Sequence, residues 1–138
     1  MAAEDNKAIV RRLIDELWNA GNPDLADELY SADYVRHGPF AEPPIRGSAA
    51  LKGFARMYLA AVPDLHHEIE DQFTRDDGVV TRLTARGTHR GEMMGLAPTG
   101  KPIEFGMFIQ HRIAGGKIAE EWIIYDLHAI LQQVGAGG

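Results

Sequence analysis

The hydrophobic positions of this chain change their spacing near its middle. Before Pro63 they recur every three or four residues, which is the period of a helix that packs along one face. After Pro63 they alternate with polar residues, which is the period of a strand with one buried face. The pattern therefore predicts helices in the first half of the chain and a sheet in the second half.

Two helices are predicted close to the N-terminus. The first covers Asp5 to Asn19, with Asp5 as its N-cap and Gly21 just beyond its end. A short second helix begins after Asn22 as N-cap, with Pro23 at its first position. Both carry an apolar stripe, so both are expected to pack on an apolar surface.

A third helix is predicted between Ser48, its N-cap, and Pro63, which ends it. The segment "DYVR" before it reads as a brief extended piece. The loop that follows this piece is too rich in proline for a helix interior or a central strand, since it holds Pro39, Pro43 and Pro44.

Four strands are predicted after Pro63. The segments "LHHEIEDQFTR" and "VVTRLTARGTH" are joined by Asp-Asp-Gly, and "PIEFGMFIQHRI" and "KIAEEWIIY" by Ala-Gly-Gly, both of which are hairpin signals. "DLHAILQQVG" then predicts a short C-terminal helix. We expect a single α+β domain over residues 1–138, with three N-terminal helices packed on one face of a strongly bent antiparallel sheet.

Composition narrows the classes of function. The 138 residues suit one domain, and the net charge of -6 with no basic cluster argues against a nucleic-acid partner. No apolar run reaches the roughly 18 residues of a membrane span, and the N-terminus lacks the pattern of a secretion signal. Without cysteine there is neither a disulfide nor a thiolate metal site. We expect a cytoplasmic protein with no membrane partner and no metal.

Several long stretches resemble one known family. "RGSAALKGFARMYLAAVPDLHHEIED", "RGTHRGEMMGLAPTGKPIEF" and "GGKIAEEWIIYDLHAILQQVG" resemble the SnoaL-like polyketide (ester) cyclases of the nuclear-transport-factor-2-like superfamily. The resemblance covers nearly the whole chain. It implies a cystatin-like cone with a pocket between sheet and helices, no cofactor, and a homodimer through the outer sheet face. Known members close polyketide rings by an intramolecular aldol condensation.

The resemblance also implies an acid/base pair that this sequence lacks. The aspartate that these cyclases carry inside the last strand falls on Ile123, and the histidine on the preceding strand falls on Ile109. Neither isoleucine can transfer a proton. Three interpretations stay open: a cyclase-type enzyme that uses other groups, a small-ligand-binding protein without catalysis, and a hydratase or epoxide-opening enzyme, which needs a carboxylate deep in the cone.

Three polar residues are candidate catalytic groups. Asp126 is either an acid at the rim of the cone or, more simply, the N-cap of the last helix. His37 is either a donor into the pocket or an exposed loop residue. His89 shares the apolar face of its strand, which fits a site near the cavity as well as a buried core imidazole. Glu121 enters only as a possible counter-charge for Arg82.

The apolar residues give a candidate binding wall. By the resemblance, seven side chains face the pocket and bind substrate, although filling the core would explain them equally well: Trp18, Phe54, Tyr58, Met107, Ile109, Ile123 and Tyr125. Trp122 and Ile124 have the opposite parity and are expected at the homodimer interface. The leading hypothesis is cofactor-independent acid/base chemistry on a small hydrophobic carbonyl compound.

Overall fold

The N-terminal helix contains an unusual segment. In the computed structural model, which describes residues 2–38, 44–93 and 95–135, helix α1 (Ala2–Arg12) continues directly into a π-helical segment, Leu13–Asn19. The backbone N–H of Asn22 donates to the carbonyl oxygen of Leu17, five residues back, at 2.9 Å. Asp5 lies inside α1 and is not its cap. Gly21, with φ of 70°, follows the helical end as predicted.

The other two N-terminal helices are confirmed, but their caps differ from the prediction. A 3-10 turn at Pro23–Leu25 leads into α2 (Ala26–Leu29), and Asn22 makes no side-chain capping bond. Helix α3 (Ser48–Ala61) has Gly47 at its N-cap position. The Ser48 hydroxyl donates instead to Asp27 Oδ1 of α2 at 3.1 Å, which ties the two helices together.

Six strands form one sheet. They are β1 (Tyr30–His37), β2 (Ile45–Arg46), β3 (His66–Arg75), β4 (Gly78–Thr88), β5 (Pro102–Ala114) and β6 (Lys117–Tyr125), in the order β2-β1-β6-β5-β4-β3. Strands β3 to β6 are the predicted antiparallel meander, and α4 (Leu127–Gln133) is the predicted C-terminal helix. The predictions for Pro39 and Pro43 lie outside the described residues.

The hairpin signals did not predict the pairing of β1 with β6, nor that of β1 with β2. β1 lies parallel to β6, with Arg36 opposite Glu121 and His37 opposite Trp122. Since β6 also pairs with β5, the last strand is central in the sheet. This arrangement places polar residues from both ends of the chain beside one another.

The two faces of the sheet differ in exposure. The inner face packs against α1, the π-helical segment and α3, and contributes buried residues such as Leu83, Ile103 and Phe105 to the core. The outer face exposes Phe73, Phe108, Trp122 and Ile124, and Ile124 is 74% exposed. The outer-face positions predicted for Trp122 and Ile124 are therefore correct. None of the described helices has the length and apolar character needed to cross a membrane.

Candidate functional site

An inner cavity of about 40 Å³ lies between the sheet and the first helix. All seven side chains that the sequence predicted to face a pocket line it: Trp18, Phe54, Tyr58, Met107, Ile109, Ile123 and Tyr125. Trp18 meets Phe54 and Tyr58 edge to face, with ring centroids 6.4 and 6.1 Å away. That these residues bind substrate stays a prediction.

A larger outer chamber adjoins the inner cavity. Its volume is about 380 Å³, and its further lining includes Met57, Met93 and Ile130. Phe54, Tyr58 and Tyr125 line both spaces and form the boundary between them. The two spaces are therefore adjacent, a wide apolar chamber and a small inner cavity.

The inner end holds a buried carboxylate, Glu121 on β6. The residue is 1% exposed and lines the cavity. Its Oε1 accepts hydrogen bonds from the Tyr34 hydroxyl and from Arg36 Nη1, the latter at 3.2 Å. Burial raises the pKa of the Glu121 carboxyl to about 8, because a charged carboxylate loses hydration there. Glu121 can therefore take up and release a proton near neutral pH.

Arg36 supplies the positive charge of this cluster. Its guanidinium forms an ion pair with Glu121 and lies over the Phe54 ring, 4.7 Å from the centroid. Burial lowers the pKa of Arg36 to about 10, so the group stays charged at neutral pH. A charged guanidinium favours the ionised form of the neighbouring carboxylate.

His111 on β5 completes the cluster. Its Nε2 lies 2.9 Å from Glu121 Oε2, without the alignment of a hydrogen bond. Burial, with a smaller contribution from the charge of Arg36, lowers the pKa of His111 to about 3. The imidazole is therefore neutral at pH 7, and it packs beside the carboxylate without an ionic charge of its own.

The alternation of β5 and β6 explains why these polar groups meet. Ile109 and Ile123 are direct cross-strand partners, and His111 and Glu121 are the next pair on the same face. The polar pair thus lies two residues deeper than the positions at which the resembling cyclases carry theirs. Glu121 shares its parity with Ile123 and Tyr125, so the period of two along β6 was the signal that could have identified it.

His37 lies on the other side of the sheet. Arg36 points inward, so its neighbour His37 points outward, where it stacks on Trp122 with ring centroids 5.5 Å apart and contacts Glu120 at 2.7 Å. The prediction that His37 donates into the pocket does not agree with this placement. Its position at the end of β1, and not in a loop, decides which face it takes.

His89 and Asp126 also lie away from the cavity lining. His89 is fully buried just after β4, and its Nδ1 is 3.0 Å from the Thr99 hydroxyl, which is the contact of a core imidazole. Asp126 is exposed and accepts a hydrogen bond from the Ala129 N–H at 3.0 Å. The N-cap interpretation of Asp126 is confirmed. Among the residues that the structure describes, no contact connects either side chain to Glu121.

No metal site is visible in residues 2–38, 44–93 and 95–135. Within these ranges no three histidine, aspartate or glutamate side chains converge in a way that could hold an ion. The described polar cluster at the inner end consists of one carboxylate, one guanidinium, one imidazole and one phenol. That set can exchange protons and donate hydrogen bonds.

Known proteins are similar to this chain over most of its length. A family model described as SnoaL-like polyketide cyclase matches residues 8–134. IdmH, a candidate polyketide cyclase from Streptomyces antibioticus, is 33% identical over 94% of this chain and 98% of its own, with a TM-score of 0.81. AclR, a candidate hydroxylase from Streptomyces galilaeus, is 26% identical over 96% and 86%, with a TM-score of 0.84.

A third structure shows the fold alone. A candidate SnoaL-like polyketide cyclase from Jannaschia sp. CCS1 is 23% identical over 97% of this chain and 94% of its own, and superimposes with a TM-score of 0.89. A search of curated proteins found no match. The family and the fold therefore rest on the family model and on solved structures.

Proposed function

Because the chain belongs to the SnoaL-like polyketide cyclase family, we propose that it performs cofactor-independent acid/base chemistry on a small hydrophobic carbonyl compound, with Glu121 as the proton acceptor. The observation that carries the proposal is the burial of this one carboxylate at the inner end of an otherwise largely apolar cavity. A base is most effective when its pKa lies near the working pH, and the pKa of Glu121 is about 8.

The proposed reaction needs only proton transfers and one carbon–carbon bond. Ionised Glu121 removes a proton from the carbon next to a carbonyl group, and the electron pair moves to the carbonyl oxygen as an enolate. The enolate carbon attacks a second carbonyl of the same molecule, and the resulting alkoxide takes the proton back from Glu121. The charged guanidinium of Arg36 balances the negative charge that moves between carboxylate and substrate.

The neighbours of Glu121 would hold its carboxylate in position. The Tyr34 hydroxyl and Arg36 Nη1 both donate to Oε1, so the oxygen nearer His111 is less constrained by donors. The apolar wall formed by Ile109, Ile123 and Met107 excludes water from the carbon that loses its proton. Both effects favour proton removal from a weak carbon acid.

The experiment is proton exchange at carbon. We would incubate the protein with apolar methyl ketones that have a slender end, such as 4-phenyl-2-butanone, in D₂O and follow the loss of the methyl proton signal by NMR. Formation of the enolate exchanges these protons even when no second carbonyl is present for ring closure. Exchange above the protein-free rate supports the proposal, and its absence across the ketone series contradicts it.

A second candidate function is ligand binding without catalysis. The cross-strand pair Ile109 and Ile123 favours it, because two groups that cannot transfer protons occupy the positions of the acid/base pair in the resembling cyclases. Under this alternative the polar cluster around Glu121 stabilises the inner end of the cone. Tight binding of an apolar ketone without proton exchange would support this function over the first.

Asp126 gives a prediction that separates capping from catalysis. Replacing Asp126 with alanine is expected to lower the free energy of unfolding by about 1 kcal/mol, because the N–H of Ala129 loses its acceptor. The rate of ketone proton exchange is expected to stay unchanged. Urea unfolding measures the first effect and NMR the second. The matched variant Asp126→Asn keeps a capping oxygen and should unfold like the wild type; loss of exchange in either variant contradicts the cap assignment.

The outer face gives a prediction about assembly. We propose a homodimer through an outer apolar strip formed by Phe108, Trp122 and Ile124, of which Phe108 and Ile124 are cross-strand partners. Ile124→Lys would place a charge in this strip and is expected to convert the dimer to a monomer in light scattering. Ala114→Lys adds the same charge at the exposed last residue of β5 and is expected to leave the dimer intact. A wild-type monomer at micromolar concentration would contradict the proposal.

A further inference from the structure

A second buried histidine faces the inner cavity from the strand farthest from Glu121 in the meander. His67 on β3 is 6% exposed and lines the cavity. Neither of its ring nitrogens has a hydrogen-bond partner among the described residues. A buried polar group without a partner destabilises a fold, so native proteins keep few of them. The imidazole therefore requires an explanation other than core packing.

The Asn19 side chain makes two hydrogen bonds with the backbone of His67. The Asn19 side chain accepts from the His67 N–H at 2.7 Å and donates to the His67 carbonyl oxygen at 2.9 Å. Asn19 is the last residue of the π-helical segment, and such segments are frequent at functional sites. The two bonds fix the edge strand against the first helix and set the position from which the imidazole enters the cavity.

The surroundings of His67 also determine its charge. Burial lowers the pKa of His67 to about 4, with smaller contributions from the charges of Arg36 and His66. At neutral pH the ring is uncharged, so one nitrogen donates a hydrogen bond and the other accepts one. Trp18 lies beside it, with ring centroids 5.9 Å apart, and leaves the imidazole in an apolar part of the wall.

We infer that His67 is a substrate-binding residue that donates a hydrogen bond to the carbonyl oxygen of the ligand, and that Asn19 positions it. The inference rests on the proposed function in taking the ligand to be an apolar carbonyl compound. Glu121 and His67 then contact different parts of one ligand, the carbon that loses a proton and the oxygen that gains charge. The ligand class is a ketone or ester with an oxygen free to accept within the inner cavity.

The test compares two probes that differ in one oxygen. 4-Phenyl-2-butanone has the carbonyl in its slender chain, and butylbenzene has nearly the same shape without it. We expect the wild type to bind the ketone about 5- to 10-fold more tightly than the hydrocarbon, as one buried hydrogen bond allows. His67→Phe is expected to reduce this ratio to about 1, and His67→Gln, which keeps a donor, to retain part of it. Calorimetric titration gives the four dissociation constants for each variant pair.

Two further measurements separate binding from a structural role. The ring nitrogen signals of His67 are expected to shift in ¹⁵N NMR with the ketone and not with the hydrocarbon. The melting temperature of His67→Phe is expected to equal or exceed that of the wild type, because an unpaired polar group has been replaced with an apolar one. A His67→Phe variant that melts far lower and keeps its preference for the ketone would overturn the inference.

The outcomes also distinguish this inference from the proposed function. If the wild type exchanges ketone protons and His67→Phe keeps the preference for the ketone, the role of His67 is wrong and the function of Glu121 stands. If no exchange occurs but His67→Phe removes the preference, catalysis is wrong and the role of His67 in binding stands. A wild type that binds both probes equally, or neither, overturns the role of His67.

Discussion

Replacing Glu121 with glutamine is expected to reduce the rate of ketone proton exchange by at least about 100-fold, the lower range for removal of a general base. Glutamine has the shape of glutamate, and its carbonyl oxygen can still accept from Tyr34 and Arg36. The fold should therefore remain cooperative while the proton acceptor is lost. NMR of the exchanging methyl group and urea unfolding of the same sample measure the two effects.

The matched control is Glu120, the preceding residue on β6. Its carboxylate faces away from the cavity, where it contacts His37 at 2.7 Å and Arg112 at 3.3 Å. Glu120→Gln removes the same charge from the same strand and is expected to change the exchange rate less than twofold. Equal losses in the two variants would assign the effect to charge or stability and would contradict the role of Glu121.

The pH dependence of the exchange follows from the pKa of Glu121. The active form of a base is the deprotonated one, so the rate should rise with pH and level off above the pKa of about 8. A rate that falls as the pH rises from 6 to 8 would mean that the protonated carboxyl acts instead as an acid.

The free energy of unfolding is expected to pass through a maximum near pH 6.5. Burial lowers the pKa of His67 to about 4 and of His111 to about 3. Below pH 6.5 the unfolded chain binds protons that these folded imidazoles do not, so acid favours unfolding by up to about 1.4 kcal/mol per pH unit for each histidine. The two histidines together outweigh the opposite contribution of Glu121 in this range.

Above pH 6.5 the free energy of unfolding decreases as the pH rises. The folded protein keeps a proton on Glu121 up to its pKa of about 8, whereas the unfolded chain has released it. Rising pH therefore favours unfolding by up to about 1.4 kcal/mol per unit until pH 8. Urea unfolding between pH 5 and 8.5 measures both limbs of the curve.

Variants show which residue causes each part of the curve, the acid limb below pH 6.5 and the basic limb above it. Glu121→Gln should flatten the curve between pH 6.5 and 8, and His67→Phe should weaken the acid limb. Hydrogen bonds lower the pKa of Asp27, Asp64 and Glu120, so these carboxyls titrate below the range used. Glu120→Gln is the control and should keep both limbs; a decline above pH 6.5 that persists in Glu121→Gln would contradict the assignment.

The parts of the fold that depend on residues close together in the sequence could be predicted from it. The hairpin turns and the alternation after Pro63 define β3 to β6, and they also place Met107, Ile109, Ile123 and Tyr125 on the inner face. The pocket-facing positions of the helical residues Trp18, Phe54 and Tyr58 were implied by the family resemblance. The parallel pairing of β1 with β6 could not be predicted in this way. Its contact between Arg36 and Glu121 joins residues 85 positions apart, and no local pattern specifies such a partner.

The sequence also did not identify Glu121 as the centre of the candidate site. Glu121 follows the alternation of β6, but glutamate is seldom buried, so the sequence offered it, like Glu104, only as a possible counter-charge for Arg82 in an ion pair across the sheet. Arg82 is exposed, and the partner of Glu121 is Arg36. His37 was expected in the pocket because its orientation depends on the register of β1, which is set only when the strand joins the sheet.

The cross-strand pair Ile109 and Ile123 lies between the outer chamber and Glu121 along the strands, so it indicates how far a ligand must reach. Two residues along a strand span about 7 Å, so Glu121 lies about that much farther from the outer chamber than a proton acceptor at position 123 would. A molecule must therefore have a narrow end to bring a reactive carbon to Glu121 past the two isoleucines. Wide fused rings would stop in the outer chamber, so the length of a ligand's slender end, more than its total size, decides whether it reacts.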